Sequence, residues 1–238
     1  MKAHLVINIL TTSELREKEE GKKLLEEWIL HAPQYAPERY GGYEPIRTPF
    51  DPADIDAAVS EWDFSFLVSR RKPKMRGSVF MGNGRGTRHG WIHVACEYKP
   101  DLFPQLRQFF MKVSTGFEAE FAFMHMSTRN LDLSISITTH QLRQGIPDLY
   151  WLTLFGKPYV KLFGSERILS SPNAVVEELT HDLFTIQLSG DIRDVTEKPD
   201  ELFETSRRIK QHLNNNAFFD SELGLDYPYN VPEFHIRQ

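Results

Sequence analysis

The apolar run Leu5, Val6, Ile7, Ile9 and Leu10 is dense in branched residues and too short for a membrane span or a secretory core, so it reads as a first strand. Thr11 and Glu14 then stand at capping-box spacing. Leu15, Leu24, Leu25, Trp28 and Ile29 recur at helical intervals down to about His31, with Glu14/Lys18 and Glu19/Lys23 as supporting pairs. The stretch 33–52 is rich in Pro, Gly and Tyr and reads as a long irregular loop, after which Asp51-Pro52 starts a short helix running to Val59. From Trp62 the period changes to two: strands are expected at Asp63–Arg70, Gly77–Met81 and Trp91–Tyr98, an antiparallel meander. Leu102, Phe103, Leu106, Phe109, Phe110 and Val113 form one broad helical face ending near Gly116, and Phe117, Ala119, Phe121 and Phe123 alternate as in a further strand.

The second half continues in shorter units. Leu149–Leu154 reads as a strand, Lys157–Phe163 as a single helical excursion closed by Gly164, and Ile168–Leu169, Ala174–Leu179 and Leu183–Leu188 as short strands. Pro199 opens a helix whose Leu202, Phe203, Ser206, Ile209 and Leu213 form a buried stripe. The tail from Leu223 is expected to be extended and docked through Tyr227, Tyr229 and Phe234. The whole predicts an α+β fold of antiparallel sheets with a few helices. A single domain over 1–238 is preferred because no linker stands out, and a division into two similar sub-layers, 1–130 and 131–238, stays open.

Composition narrows the class. Hydrophobic residues make up 40% and charged residues 26% of 238, ordinary globular usage that argues against disorder. The lone cysteine, Cys96, allows no internal disulfide and no multi-cysteine zinc site, and suits a cytoplasmic setting. The net charge of -5 hides a segregated pattern. Positions 70–88 carry seven basic residues (Arg70, Arg71, Lys72, Lys74, Arg76, Arg85, Arg88) and no acid; positions 51–63 carry Asp51, Asp54, Asp56, Glu61 and Asp63 and no base; positions 177–204 carry nine acids against Arg193 and Lys198. Such blocks steer charged partners unless they neutralise one another in the fold.

Candidate chemistry is sparse. Gly82-Asn83-Gly84-Arg85-Gly86 lacks the Lys-Ser/Thr pair and the helix of a phosphate loop, and Asn83-Gly84 is a preferred hairpin dipeptide. His89 and His93 would meet on a helix but stand about 13 Å apart along a strand, which removes a metal pair. Glu97-Tyr98-Lys99 resembles the acidic-x-Lys element of metal-dependent nucleases, with Asp63 as the only plausible second carboxylate. No serine or cysteine lies in a nucleophile elbow. The basic hairpin has no aromatic until Phe80 and so lacks a stacking platform for single-stranded nucleic acid. No cofactor and no bound metal are expected.

The run Tyr150-Trp151-Leu152-Thr153, Phe155-Gly156-Lys157-Pro158-Tyr159-Val160, Leu162-Phe163-Gly164 and Ser170-Ser171-Pro172 resembles the immunity protein 52 family of bacterial polymorphic toxin systems. Phe203, Arg207, Arg208, Lys210, Leu213 and Ala217-Phe218-Phe219-Asp220 look like the carboxy-terminal helix of those proteins and its Phe-Phe-Asp end. The match covers mainly residues 149–220. It implies an α+β cytoplasmic antidote that blocks a restriction-endonuclease-like nuclease toxin, often one delivered by type VI secretion, without turnover. No catalytic residue is carried over, no membrane association is expected, and no direct nucleic-acid contact is expected.

The expectation is therefore a non-enzymatic protein that offers carboxylates to a basic cleft: Asp191, Asp194 and Glu197 first, then Asp54, Asp56 and Glu61. The alternatives are a metal-dependent nuclease or phosphoesterase using Asp63, Glu97 and Lys99, and a scaffold binding an anionic partner through 70–88. Trp151, with apolar neighbours on both sides, is expected in the core.

Overall fold

A computed structural model describes residues 3–81, 89–127 and 137–234. Among these, β1 (His4–Thr11), β2 (Arg39–Gly41), β3 (Thr48–Pro49), β4 (Ser65–Arg70), β5 (Met75–Phe80), β6 (Gly90–Glu97), β7 (Phe121–Ser127), β8 (Leu152–Phe155), β9 (Val175–Thr180) and β10 (Leu183–Gln187) form one sheet in the order β3-β2-β4-β5-β6-β1-β7-β8-β10-β9. Every ladder is antiparallel. The α+β expectation holds, but the two halves do not build separate sheets: β7 pairs directly with β8, Phe123 opposite Thr153, so the second half extends the sheet of the first.

Eight helices lie among the described residues: α1 (Lys18–His31), α2 (Ile55–Ser60), α3 (Phe103–Gly116), α4 (Thr139–Leu142), α5 (Lys157–Phe163), α6 (Ser165–Leu169), α7 (Asp194–Glu197) and α8 (Pro199–Leu213). They cover both faces of the sheet. On one face α1 sets Leu24, Leu25 and Trp28 against the strands, and Trp28 meets Phe109 of α3 at 5.0 Å between ring centroids. This close approach needs small residues beneath it. A Cβ on Gly77 would lie 2.9 Å from the Trp28 ring, and one on Gly21 would lie 2.5 Å from Trp62. On the opposite face Tyr159 of α5 packs on Phe121 and Phe155, at 5.6 and 5.2 Å, and Phe163 stacks on Phe218 at 6.2 Å. With both faces covered, β1 is buried from Leu5 to Thr11, which is why its sequence is a near-continuous apolar run, interrupted by the buried Asn8, rather than an alternation.

Several local expectations are corrected. Thr11 does not cap a helix: it ends β1 and its hydroxyl donates to the Phe117 carbonyl, while α1 starts seven residues later behind Glu17, with no side-chain cap. Lys23 pairs with Glu20 rather than Glu19 and also donates to the Gly116 carbonyl at 2.6 Å. The 33–52 loop contains β2 and β3, held by the ladder of β2 to β4. Residues 168–169 belong to α6, because Gly164 at φ +83 ends α5 and a second helical turn follows at once. The strand expected from Phe117 begins only at Phe121; Phe117 closes α3, and Glu118 sits in the left-handed region at φ +47. The Asn83-Gly84 hairpin lies outside the described residues. The tail is docked as expected: the Tyr229 hydroxyl bonds the Asp220 and Gly224 carbonyls, and Phe234 meets the His89 and Tyr159 rings at 4.8 and 6.0 Å.

Gly156 marks the tightest backbone crossing. Its N–H donates to the Glu120 carbonyl, and a Cβ there would fall 2.1 Å from the Ala119 oxygen, though its φ of -91 suits any residue. The cost of a side chain is thus steric, with backbone as the obstacle. Gly156→Ala is expected to destabilise the fold by about 2–4 kcal/mol, a loss to be measured in denaturant melts, whereas Gly190→Ala, with open space around it, should leave the midpoint nearly unchanged.

Candidate functional site

The acidic residues singled out from the sequence fall into two groups. Asp191, Asp194 and Glu197 lie on and just before α7, beside Tyr98 at the end of β6; burial and then the Asp191 charge raise the Tyr98 phenol above its ordinary value. Asp54, Asp56 and Glu61 lie around α2, on the α1 side of the sheet; burial, Glu61 and Asp54 raise Tyr40. Ser65 opposes Phe80, Phe80 opposes Trp91, and Glu97 is six residues further along β6, so α2 and α7 flank opposite strand ends, roughly 20 Å apart. They form two patches.

Within each patch much of the charge is already used. Arg193 binds Asp191 through two nitrogens and holds its carboxyl below the usual carboxylate range, and Lys198 pairs with Asp194 at 3.4 Å. Asp54 caps α2 by accepting from the Ala57 N–H, and Asp56 pairs with Lys22 at 2.8 Å, which raises that lysine's pKa. Glu197 and, one turn on, Asp200 and Glu201 are exposed, and their carboxylates make no ion pair or hydrogen bond among the described residues. Directly after them Phe203 is 70% exposed, not part of the buried stripe of α8. Its position on the outer face is set by Leu202, Ser206, Ile209 and Leu213, which take the inner one. Behind it Glu204 accepts from Arg207 and Arg208, whose bonds bring its pKa down to about 2. The sequence pattern missed Phe203 because it sits next to the apolar stripe; the one-residue offset from Leu202 was the available signal.

The metal-site alternative is not assembled. Asp63 precedes β4 at one end of the sheet, and Glu97 closes β6 at the other, roughly 20 Å away, where it pairs with Lys99 at 3.1 Å. Among the described residues no group of three or more His, Cys, Asp and Glu side chains converges to hold a metal ion. The basic residues Arg39, Arg70, Arg71, Lys74 and Arg76 surround a shallow hollow with Glu38, and the Arg70 guanidinium pairs with that glutamate at 3.6 Å. Among the described residues no ion pair joins them to the acids of 51–63. Arg85 and Arg88 lie outside the described residues.

His89 and His93 do different work. His93 Nδ1 is 3.2 Å from the Asn8 amide nitrogen, in the middle of the sheet. His89, just before β6, has Nε2 2.6 Å from Glu120 Oε2 and Nδ1 3.0 Å from Thr139 Oγ1, while its backbone N–H donates to the same hydroxyl at 2.8 Å. With the proton on Nε2, every member is satisfied: the ring donates to the carboxylate, the hydroxyl donates to Nδ1 and accepts from the backbone. Trp151 is buried, as expected, and its ring meets Phe103 at 5.6 Å.

No family model matches the chain, and no curated protein matches it. Among solved structures it is similar to the T6SS protein PA0821 of Pseudomonas aeruginosa, with a TM-score of 0.56 at 14% identity over 87% of this chain and 73% of that one. At that identity the likeness is one of fold. Among the described residues no helix is long and apolar enough to cross a membrane.

One half-buried titratable group near these elements sets a pH dependence. His125 on β7 accepts the Trp151 backbone N–H on Nδ1, a bond only the neutral ring can make, and burial brings its pKa down to about 4. A folded value below the unfolded one, near 6.5, means that the native state resists protonation. The associated stability is complete above pH 6.5 and is lost as pH falls toward 4, by roughly 2–3 kcal/mol. In urea melts across pH 7 to 4, His125→Gln should remove most of that slope; an unchanged slope would place the titration elsewhere.

Proposed function

We propose that this protein is a non-catalytic immunity protein of a type VI secretion setting, which binds a cognate bacterial nuclease toxin in the cytoplasm and blocks it sterically and electrostatically. The observation that carries the reading is the outer face of α7 and α8: Glu197, Asp200 and Glu201, exposed and with unpaired carboxylates among the described residues, run into Phe203, 70% exposed on a helix packed through Leu202, Ile209 and Leu213. Carboxylates suit a cleft built to hold phosphates and speed encounter with it. An aromatic anchor of low conformational entropy is the kind of residue that dominates binding energy at such an interface. Of this surface, Phe203 is also among the residues that resemble the immunity protein 52 family, and the fold shared with a Pseudomonas aeruginosa T6SS protein is in keeping with the reading.

Occlusion of this kind needs no group poised for bond making. It needs shape, and an interface of roughly 1,600 Å² for tight recognition. Asp191 and Asp194, from which the strongest contribution was expected, act in this reading as supports: their ion pairs with Arg193 and Lys198 fix α7 ahead of α8.

The test needs as partner the cognate nuclease toxin that this reading requires, sought among the genes adjacent to this one. Glu197→Lys with Glu201→Lys is expected to lower the association rate at low salt by about tenfold or more, and raising the salt from 50 to 500 mM should erase most of the difference. Phe203→Ala should instead raise the dissociation rate by about tenfold or more. Association that ignores both salt and charge reversal would contradict the electrostatic part of the proposal.

A further inference from the structure

A pocket on the face opposite α1 and α3 has no part in the partner surface. It is lined by Phe80, His89, Trp91, Thr138, Thr139, His140 and Arg143, and its volume is about 700 Å³, the size range of small-ligand sites. One wall is aromatic. Phe80 and Trp91 are cross-strand partners whose rings stack at 5.8 Å, 26° from parallel, and Phe64 abuts Phe80 edge-on at 4.6 Å.

The facing wall is the segment 138–143, and it is held in place. Thr139 is clasped to His89 by two bonds, His89 is anchored to Glu120, and Thr138 and Gln141 close a full capping box. A wall positioned before binding spares a ligand the cost of ordering it. Among the described lining residues the one formal charge is that of Arg143, exposed and without an ion pair among the described residues, with His140 close by in sequence, and no carboxylate is among them. Glu120, the acid nearest His89, is turned to His89 and to the Thr12 hydroxyl.

We infer that this pocket binds a planar ring carrying an anionic group, of the size of a nucleoside monophosphate, with the ring on the Phe80–Trp91 wall and the phosphate at Arg143. Stacking on aromatic side chains tolerates any base, and the guanidinium matches phosphate geometry through paired N–H donors. Neither half alone fills the site: a nucleoside leaves the cation unmatched, and inorganic phosphate leaves the aromatic wall bare.

Trp91 supplies the readout, since Trp28, Trp62 and Trp151 are buried and Trp91 is partly exposed. Titrated into the full chain, AMP is expected to quench tryptophan emission saturably and to bind about tenfold or more tighter than adenosine, with inorganic phosphate giving no quench. Arg143→Ala should weaken AMP by about tenfold while leaving adenosine unchanged, and because Arg143 is exposed the variant should fold normally, as circular dichroism will check. A short oligoadenylate that binds no more tightly than AMP supports a site for the free nucleotide. One that binds tenfold or more tighter assigns the ring-and-phosphate chemistry to a single strand and overturns the inference as stated. It is equally overturned if AMP gives no saturable quench at millimolar concentration, or if AMP and adenosine bind alike. None of these readings involves the toxin, so the outcome is independent of the proposed immunity role.

Discussion

Burial of β1 on both faces is the constraint on which the rest of the molecule depends. A strand covered on one side only could alternate polar and apolar residues; this one must pair with β6 and β7 and be roofed twice, by α1 and α3 on one face and by the carboxy-terminal helices on part of the other. That requirement explains why the second half of the chain continues the sheet through the β7–β8 ladder instead of folding apart. It also explains the exacting glycines: Gly77 lets Trp28 reach the sheet, and Gly156 lets α5 begin where β8 crosses the end of α3 and the start of β7.

Much of this was legible in the sequence, and the failures have physical causes. Strong periodicity located α3, α8, the strands of the meander and the end of α1 at His31 to within a few residues, because a long apolar stripe has few ways to be buried. Thr11 and Glu14 misled because capping-box spacing states only what a helix start would use, and a strand end whose hydroxyl finds the Phe117 carbonyl uses the same residue differently. Ile168 and Leu169 misled because two apolar residues have no period. β2 and β3 were hidden in a Pro- and Gly-rich stretch: strands of three and two residues, stabilised by pairing to β4, leave no pattern of their own.

The candidate sites were legible only as composition. Sequence located the acidic block before α8 but not which carboxylates remain available, since that depends on where Arg193 and Lys198 point. The pocket beside His89 draws on residues from 80 to 143, brought together by cross-strand register and by the clasp to Thr139, and no spacing rule joins them. The same register separates Asp63 from Glu97. Topology thus assembles one grouping the sequence did not suggest and takes apart another that it did.

Stoichiometric occlusion is the core of the functional account, and an inhibition titration measures it directly. With the proposed cognate nuclease toxin held well above the dissociation constant and DNA cleavage as the signal, the account predicts a linear loss of activity that ends at about one equivalent of this protein and reverses when the complex is dissociated. Complete and lasting inactivation at about a tenth of an equivalent would require turnover, and would contradict it.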